Sequence, residues 1–119
     1  MTPDELRQRT KEFALRCLKA VEALPKSVAG RTIAGQLARS GTSVAANYRS
    51  ACRARSRADF ISKIAVVQEE SDGTPFLLDL AVEAGALPAK KVHSLAVKAE
   101  ELVAIFAASH ISARKAARP

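Results

Sequence analysis

The sequence predicts an all-α protein, an antiparallel up-and-down four-helix bundle, and three observations predict it. Alanine makes up about a fifth of the 119 residues, aromatics are 4% and tryptophan is absent, which is the profile of packed helices rather than of a sandwich or barrel. Apolar residues recur at three- and four-residue steps in four stretches, the period of an amphipathic helix. Short connections separate the stretches, and short connections make helical neighbours antiparallel. The length suffices for one domain with a real core and not for two ordinary ones.

The first helix opens at Thr2, which can cap it, with Pro3 in the first turn and Glu5 completing a capping box. Leu6, Phe13, Cys17, Ala20 and Leu24 form its apolar stripe, widened by Ala14, Leu18 and Val21. Leu24-Pro25 ends it, because a residue before proline is pushed out of the helical region.

The second helix follows a loop around Lys26 to Gly30 and runs to about Ala54. Ile33, Leu37, Val44, Tyr48 and Ala51 form its apolar face. Gln36, Arg39, Ser43 and Asn47 form a polar stripe beside it, since residues three and four apart share a side. Gly35 and Gly41 each weaken this helix by roughly 1 kcal/mol relative to alanine, unless they serve close helix approach.

The third helix begins at Ser56, with Asp59 as a reciprocal cap, and Gly85 closes it. Phe60, Ile61, Ile64, Val67, Leu77, Leu78 and Leu80 supply its apolar side. Ser71-Asp72-Gly73-Thr74-Pro75 in its middle predicts a kink or break, because proline lacks the backbone donor and clashes with the preceding turn. Pro88 opens the fourth helix, with Val92, Leu95, Ala99, Leu102 and Phe106 on one seam and Ala96, Val103 and Ile105 beside it. The expected division is a bundle domain over residues 1–113 and a basic, mobile C-terminal tail over residues 114–119. The bundle should be about 30–40 Å long at 1.5 Å per residue.

Several function classes find no support. No stretch approaches the ~18–20 apolar residues of a membrane span, and Met1-Thr2-Pro3-Asp4-Glu5 lacks the apolar run of a signal peptide, so a cytoplasmic location is expected. Gly30 and Gly35 have the spacing of a phosphate-binding loop, but Gln36-Leu37 stands where Lys-Ser/Thr is required. His93 and His110 are too far apart on one helix to share a metal, and Glu69-Glu70 has no partner base or nucleophile beside it. No enzyme, cofactor or metal site is expected. In an antiparallel pair Cys17 and Cys52 differ in height by roughly 20 Å, which excludes a bridge between them.

The charge is polarised. The net charge is +7, yet residues 1–57 carry +8 and residues 58–119 carry −1. Between Glu22 and Asp59 there is no carboxylate, while Arg39, Arg49, Arg53, Arg55 and Arg57 all fall there. One reading is that this basic helix neutralises the acidic third helix, within a bundle or between subunits. The other is that Arg49, Arg53, Arg55 and Arg57 protrude and grip phosphates, which guanidinium groups meet bidentately. Arg114, Lys115 and Arg118 read as solvated tail charges. Tyr48 is the only candidate for base stacking and reads as a core or interface residue, so contact with nucleic acid should follow backbone and shape.

The run Gln36-Leu37-Ala38-Arg39-Ser40-Gly41-Thr42-Ser43-Val44-Ala45-Ala46-Asn47-Tyr48 is specific. With Phe13-Ala14, Leu24-Pro25, the stretch from Ala51 to Ile61, and Glu69-Glu70-Ser71-Asp72, it resembles the bacterial four helix bundle proteins. These are also known as 23S rRNA intervening-sequence proteins, encoded within some large-subunit ribosomal RNA genes. The resemblance covers roughly Leu6 to Ala113. It implies a non-enzymatic antiparallel bundle assembled as a ring-like homopentamer. It also implies similarity to the accessory variability protein of diversity-generating retroelements, a basic pentameric barrel that binds nucleic acid and a reverse transcriptase. The chain departs from the family where relatives read Asp-Glu-Thr-x-Tyr-Trp-Leu and it has Asp72-Gly73-Thr74-Pro75-Phe76-Leu77-Leu78. Arg39 is then expected to pair with Glu69, Glu70 or Asp72, and Gln36, Ser43 and Asn47 to make helix–helix hydrogen bonds. The functional expectation is an oligomer that binds structured nucleic acid, RNA first, through Arg49, Arg53, Arg55 and Arg57. The alternative is a module that docks on a nucleic-acid enzyme such as a reverse transcriptase.

Overall fold

Helices begin where a side chain can hold the free backbone donors of the first turn, and three of the four here do so. The computed structural model describes residues 1–117. Among these the helices are α1 (Pro3–Glu22), α2 (Val28–Ala51), α3 (Arg57–Glu83) and α4 (Ala89–Ala116). Thr2 and Glu5 exchange the two bonds of the expected capping box, at 3.1 and 3.3 Å. The Ser27 hydroxyl accepts from the Gly30 amide at 3.0 Å, and the Ser56 hydroxyl from the Asp59 amide at 3.0 Å. Pro88 precedes α4 without a side-chain cap. Gly85, at φ +73°, ends α3, and the Ala86 amide donates back to the Ala81 carbonyl at 2.8 Å, a closure that favours glycine.

The helices form an antiparallel four-helix bundle measuring 52 × 21 × 20 Å. Five-residue connections (23–27, 52–56 and 84–88) join successive helices. The bundle exceeds the expected length because α4 stays helical through Ala116, past the point where fraying was expected. Arg114 and Lys115 therefore sit on its last turn, while Arg118 and Pro119 lie outside the described residues.

The core follows the apolar seams. Leu6, Phe13 and Cys17 meet Ile33, Leu37, Val44 and Tyr48, and Ile64, Val67 and Leu78 meet Val92, Leu95, Leu102 and Phe106. The Tyr48 and Phe106 rings stack tilted at 5.4 Å, a core role for Tyr48. Two expected core residues lie outside: Leu18 and Leu80 are exposed, because their seams are wider than the strip that neighbouring helices cover.

Helix α3 corrects the expected break, running unbroken from Arg57 to Glu83 with Pro75 inside it. Proline costs roughly 3 kcal/mol in a helix interior. On the inner face of the same segment Val67, Leu77, Leu78 and Ala81 are buried, at about 1.5–3 kcal/mol for each large apolar side chain. Burial on both sides of the proline therefore outweighs its cost. Ser71 and Thr74 are buried beside it and satisfied: Ser71 donates to the Gln68 carbonyl at 2.8 Å, and Thr74 shares a 3.3 Å bond with Ser40 of α2.

Gly41 shows how α1 and α2 come together. A Cβ built on it would lie 2.6 Å from the Cys17 Cβ and 2.7 Å from its Sγ, whereas one on Gly35 meets nothing within 4 Å. Of these two glycines, only Gly41 serves close approach of the helices. That contact also sets the register. Cys52 lies eleven residues beyond Gly41, about 16 Å along α2, and both thiols are free.

Candidate nucleic-acid interface

The polar stripe on α2 divides into an interhelical half and a local half. The Arg39 guanidinium donates to both carboxylate oxygens of Glu70 at 3.2 Å, and the Ser43 hydroxyl donates to the same carboxylate at 3.2 Å. Glu70, rather than Glu69 or Asp72, is thus the acid on α3 that Arg39 reaches. Asn47 makes no such bridge. Its amide donates to the Ser43 carbonyl of its own helix at 2.8 Å, which the short side chain reaches one turn back. Gln36 is exposed and makes no side-chain hydrogen bond among the described residues; it lines a shallow cleft with Arg39, Glu69 and Phe76. The expected helix–helix bonding of Gln36 and Asn47 is therefore not formed.

Arg49, Arg53, Arg55 and Arg57 occupy the last turn of α2, the connection, and the first residue of α3. All four are exposed, and no guanidinium among them enters an ion pair with any described residue. The reason is local. Among the described residues, three side-chain carboxylates stand at this end of the bundle, and each is engaged elsewhere. Asp4 pairs with Arg7, Glu5 caps α1, and Asp59 holds Lys63 at 2.9 Å and the Arg55 backbone amide at 3.0 Å. Those last two bonds, the backbone one first, hold the Asp59 carboxyl below its usual range, so it stays charged and anchors the connection.

Antiparallel packing adds cations that the spacing of the arginine cluster alone does not display. The C-terminus of α4 lies at the same end as the α2–α3 connection, since α2 and α4 run in the same direction. Arg114 and Lys115, both exposed, thereby join the four arginines as six cations on one end of the bundle. The signal would have been the direction of each helix combined with the charge of its last turn. No large aromatic is exposed at this end, Tyr48 being 6% exposed.

Other chemistry is sparse among the described residues. No three His, Cys, Asp or Glu side chains are grouped to hold a metal, and no helix is long and apolar enough to cross a membrane. Burial pushes the Cys17 thiol up to about 12. Burial also raises the Tyr48 hydroxyl, with the neighbouring Cys52 thiol adding to the shift.

The family model for 23S rRNA-intervening sequence proteins matches residues 4–108. The chain belongs to this family. A crystal structure of a protein of unknown function from the S23 ribosomal protein family of Bacteroides thetaiotaomicron is similar to it at a TM-score of 0.82. The two are 27% identical, and the match covers 92% of this chain and 98% of the other. No curated protein matches the chain. The likeness to the Bacteroides protein extends over almost the whole family bundle, so the four-helix architecture is a property of the fold rather than an addition to it.

Proposed function

We propose that this family member is a non-enzymatic nucleic-acid-binding bundle of the cytoplasm, which grips structured RNA through the cationic end that Arg49, Arg53, Arg55 and Arg57 form. The observation that carries this reading is that all four guanidiniums are exposed while every side-chain carboxylate nearby among the described residues is engaged elsewhere. Such a surface has no internal counter-charge to displace, and arginine matches phosphate with two parallel N–H donors. Arg114 and Lys115 extend the same end. Without an exposed aromatic at this end for base stacking, the contact reads the phosphate backbone and its shape. Copies of the chain associate through apolar surface such as Leu15 and Leu18, exposed side by side on α1, and repeating a modest cationic end raises avidity without new contacts.

The test is a salt titration of the folded chain with ribosomal RNA fragments and with random duplex. Four to six phosphate contacts give a slope of log K against log salt of roughly −4 to −5, with micromolar or tighter binding at about 50 mM salt. Replacing Arg53, Arg55 and Arg57 by Gln should flatten the slope by about 3 while leaving the helical spectrum unchanged. No binding at ~50 mM salt by the well-folded protein refutes the proposal.

A further inference from the structure

We infer that the outward side of α3 is a second docking surface, which receives a basic amphipathic helix from a partner protein. Phe76 lies in the C-terminal third of α3 and is 64% exposed, and Leu80, one turn on, is 39% exposed. Beside Phe76 a groove of about 450 Å³ runs between α3 and α4, with Pro75 and Ala96 among its apolar lining and Asp79 and Glu100 on opposite walls. An exposed aromatic beside an open groove gains nothing from folding alone, and such surfaces mark places where another chain packs.

The charge around Phe76 selects the occupant. At 100° per residue, Glu69, Asp72, Asp79 and Glu83 all fall within about 60° of Phe76 on the helix surface. The four are exposed, and none enters an ion pair with a described residue. This contrasts with Glu70, one position from Glu69, which turns inward onto Arg39 and Ser43. With Glu100 opposite, five carboxylates surround one aromatic anchor in a protein whose net charge is +7. From Glu69 to Glu83 the row is about 21 Å long, four turns of helix. A facing helix with an apolar stripe between lysines or arginines satisfies it: the stripe covers Phe76 and Leu80, and the cations meet the carboxylates and the face of the ring.

The chain's own surface fits this groove less well. On α1, Leu15 and Leu18 are flanked by Glu12 and Glu22 as well as by lysines, so like charges would face each other. The last turns of α4 present Ile111 with Arg114 and Lys115, two cations and one apolar side chain against five carboxylates. A partner helix of higher basic charge is the better complement. The cationic end remains free when this face is covered, so the bundle can hold a nucleic acid and a basic protein together.

The probe is a synthetic 18-residue amphipathic helix with leucines on one face and lysines and arginines beside them, titrated by fluorescence anisotropy into the full chain. A glutamate-for-cation version is the control. The cationic peptide should bind and the acidic one should not. Phe76→Ala should weaken binding about tenfold, as for an anchor residue. The double variant Asp79→Asn, Glu100→Gln, which leaves the core untouched, should weaken binding and flatten its salt dependence. The Arg53→Gln, Arg55→Gln variant should bind the peptide unchanged, which separates this surface from the nucleic-acid end. Binding that survives both α3-face variants overturns the inference. So does sedimentation showing that Phe76→Ala reduces the size of the protein's own assembly, because the occupant would then be a second copy.

Discussion

Placing alanine at Gly41 and at Gly35 in turn should move stability in opposite directions, although the two positions lie six residues apart on one helix. At Gly35 a Cβ meets nothing within 4 Å, so Gly35→Ala keeps only the gain in helix propensity, roughly 0.8–1 kcal/mol. At Gly41 the same gain is opposed by a Cβ that would sit 2.6 Å from the Cys17 Cβ and 2.7 Å from its sulfur. Cys17 is fully buried, so its side chain has no room to retreat and the helices must separate. Overpacking of this kind costs about 1–3 kcal/mol, which leaves Gly41→Ala destabilised by up to about 2 kcal/mol after the propensity gain. For a chain of this length each 1 kcal/mol moves the melting temperature by roughly 4 °C. Thermal and urea melts followed by circular dichroism should therefore place Gly35→Ala a few degrees above the parent and Gly41→Ala several degrees below it. Cys17→Ala should rescue Gly41→Ala only in part, because it removes the sulfur and leaves the Cβ in place. If Gly41→Ala is as stable as Gly35→Ala, glycine at 41 is not what sets the α1–α2 distance, and the reasoning fails.

Pro75→Ala restores a donor one turn after Ser71 within an unbroken helix, and should raise stability by about 1–3 kcal/mol in urea melts; a loss would mean that the proline relieves strain. Glu70→Gln should cost about 1 kcal/mol, because Glu70 is partly buried and serves both Arg39 and Ser43, whereas Arg39→Ala, 66% exposed at its side chain, should cost no more than about half that. The folded-state carboxyl of Asp59 is held below 3.8, so its contribution is present above that value and disappears as pH falls through the lower folded one. Asp59→Asn should accordingly be less stable than the parent above about pH 4, with the difference shrinking as pH falls below it, as pH-dependent melts can check. Native Cys17, with its thiol pushed up to about 12 and no exposed surface, should resist alkylation at pH 8 while half-buried Cys52 reacts, and denaturant should make both reactive. Equal native rates would contradict the packing of α1 on α2.

The amphipathic period, the capping residues and the prolines were enough to read four helices, their order and most of their buried faces. Thr2 with Glu5, Ser56 with Asp59, and Gly85 act through bonds only a few residues long, and local chemistry of that kind is written in the sequence. The unbroken passage of α3 through Pro75 was not legible. It depends on how much apolar surface Val67, Leu77 and Leu78 bury against other helices, a sum over contacts distant in the chain.

The candidate site divides in the same way. The absence of carboxylates between Glu22 and Asp59 is plain in the sequence, and so is the cluster Arg49, Arg53, Arg55 and Arg57. The sequence alone also determined an all-α chain of polarised charge, since both depend on residue type and on the direction of each helical face. Only the tertiary structure decided which charges are spent and which remain. Glu70, not Glu69, holds Arg39; Arg114 and Lys115 lie at the same end as the arginine connection; and Phe76 faces outward among free carboxylates. Each of these follows from the distance between groups on different helices, a quantity that packing sets and that spacing along the chain does not contain.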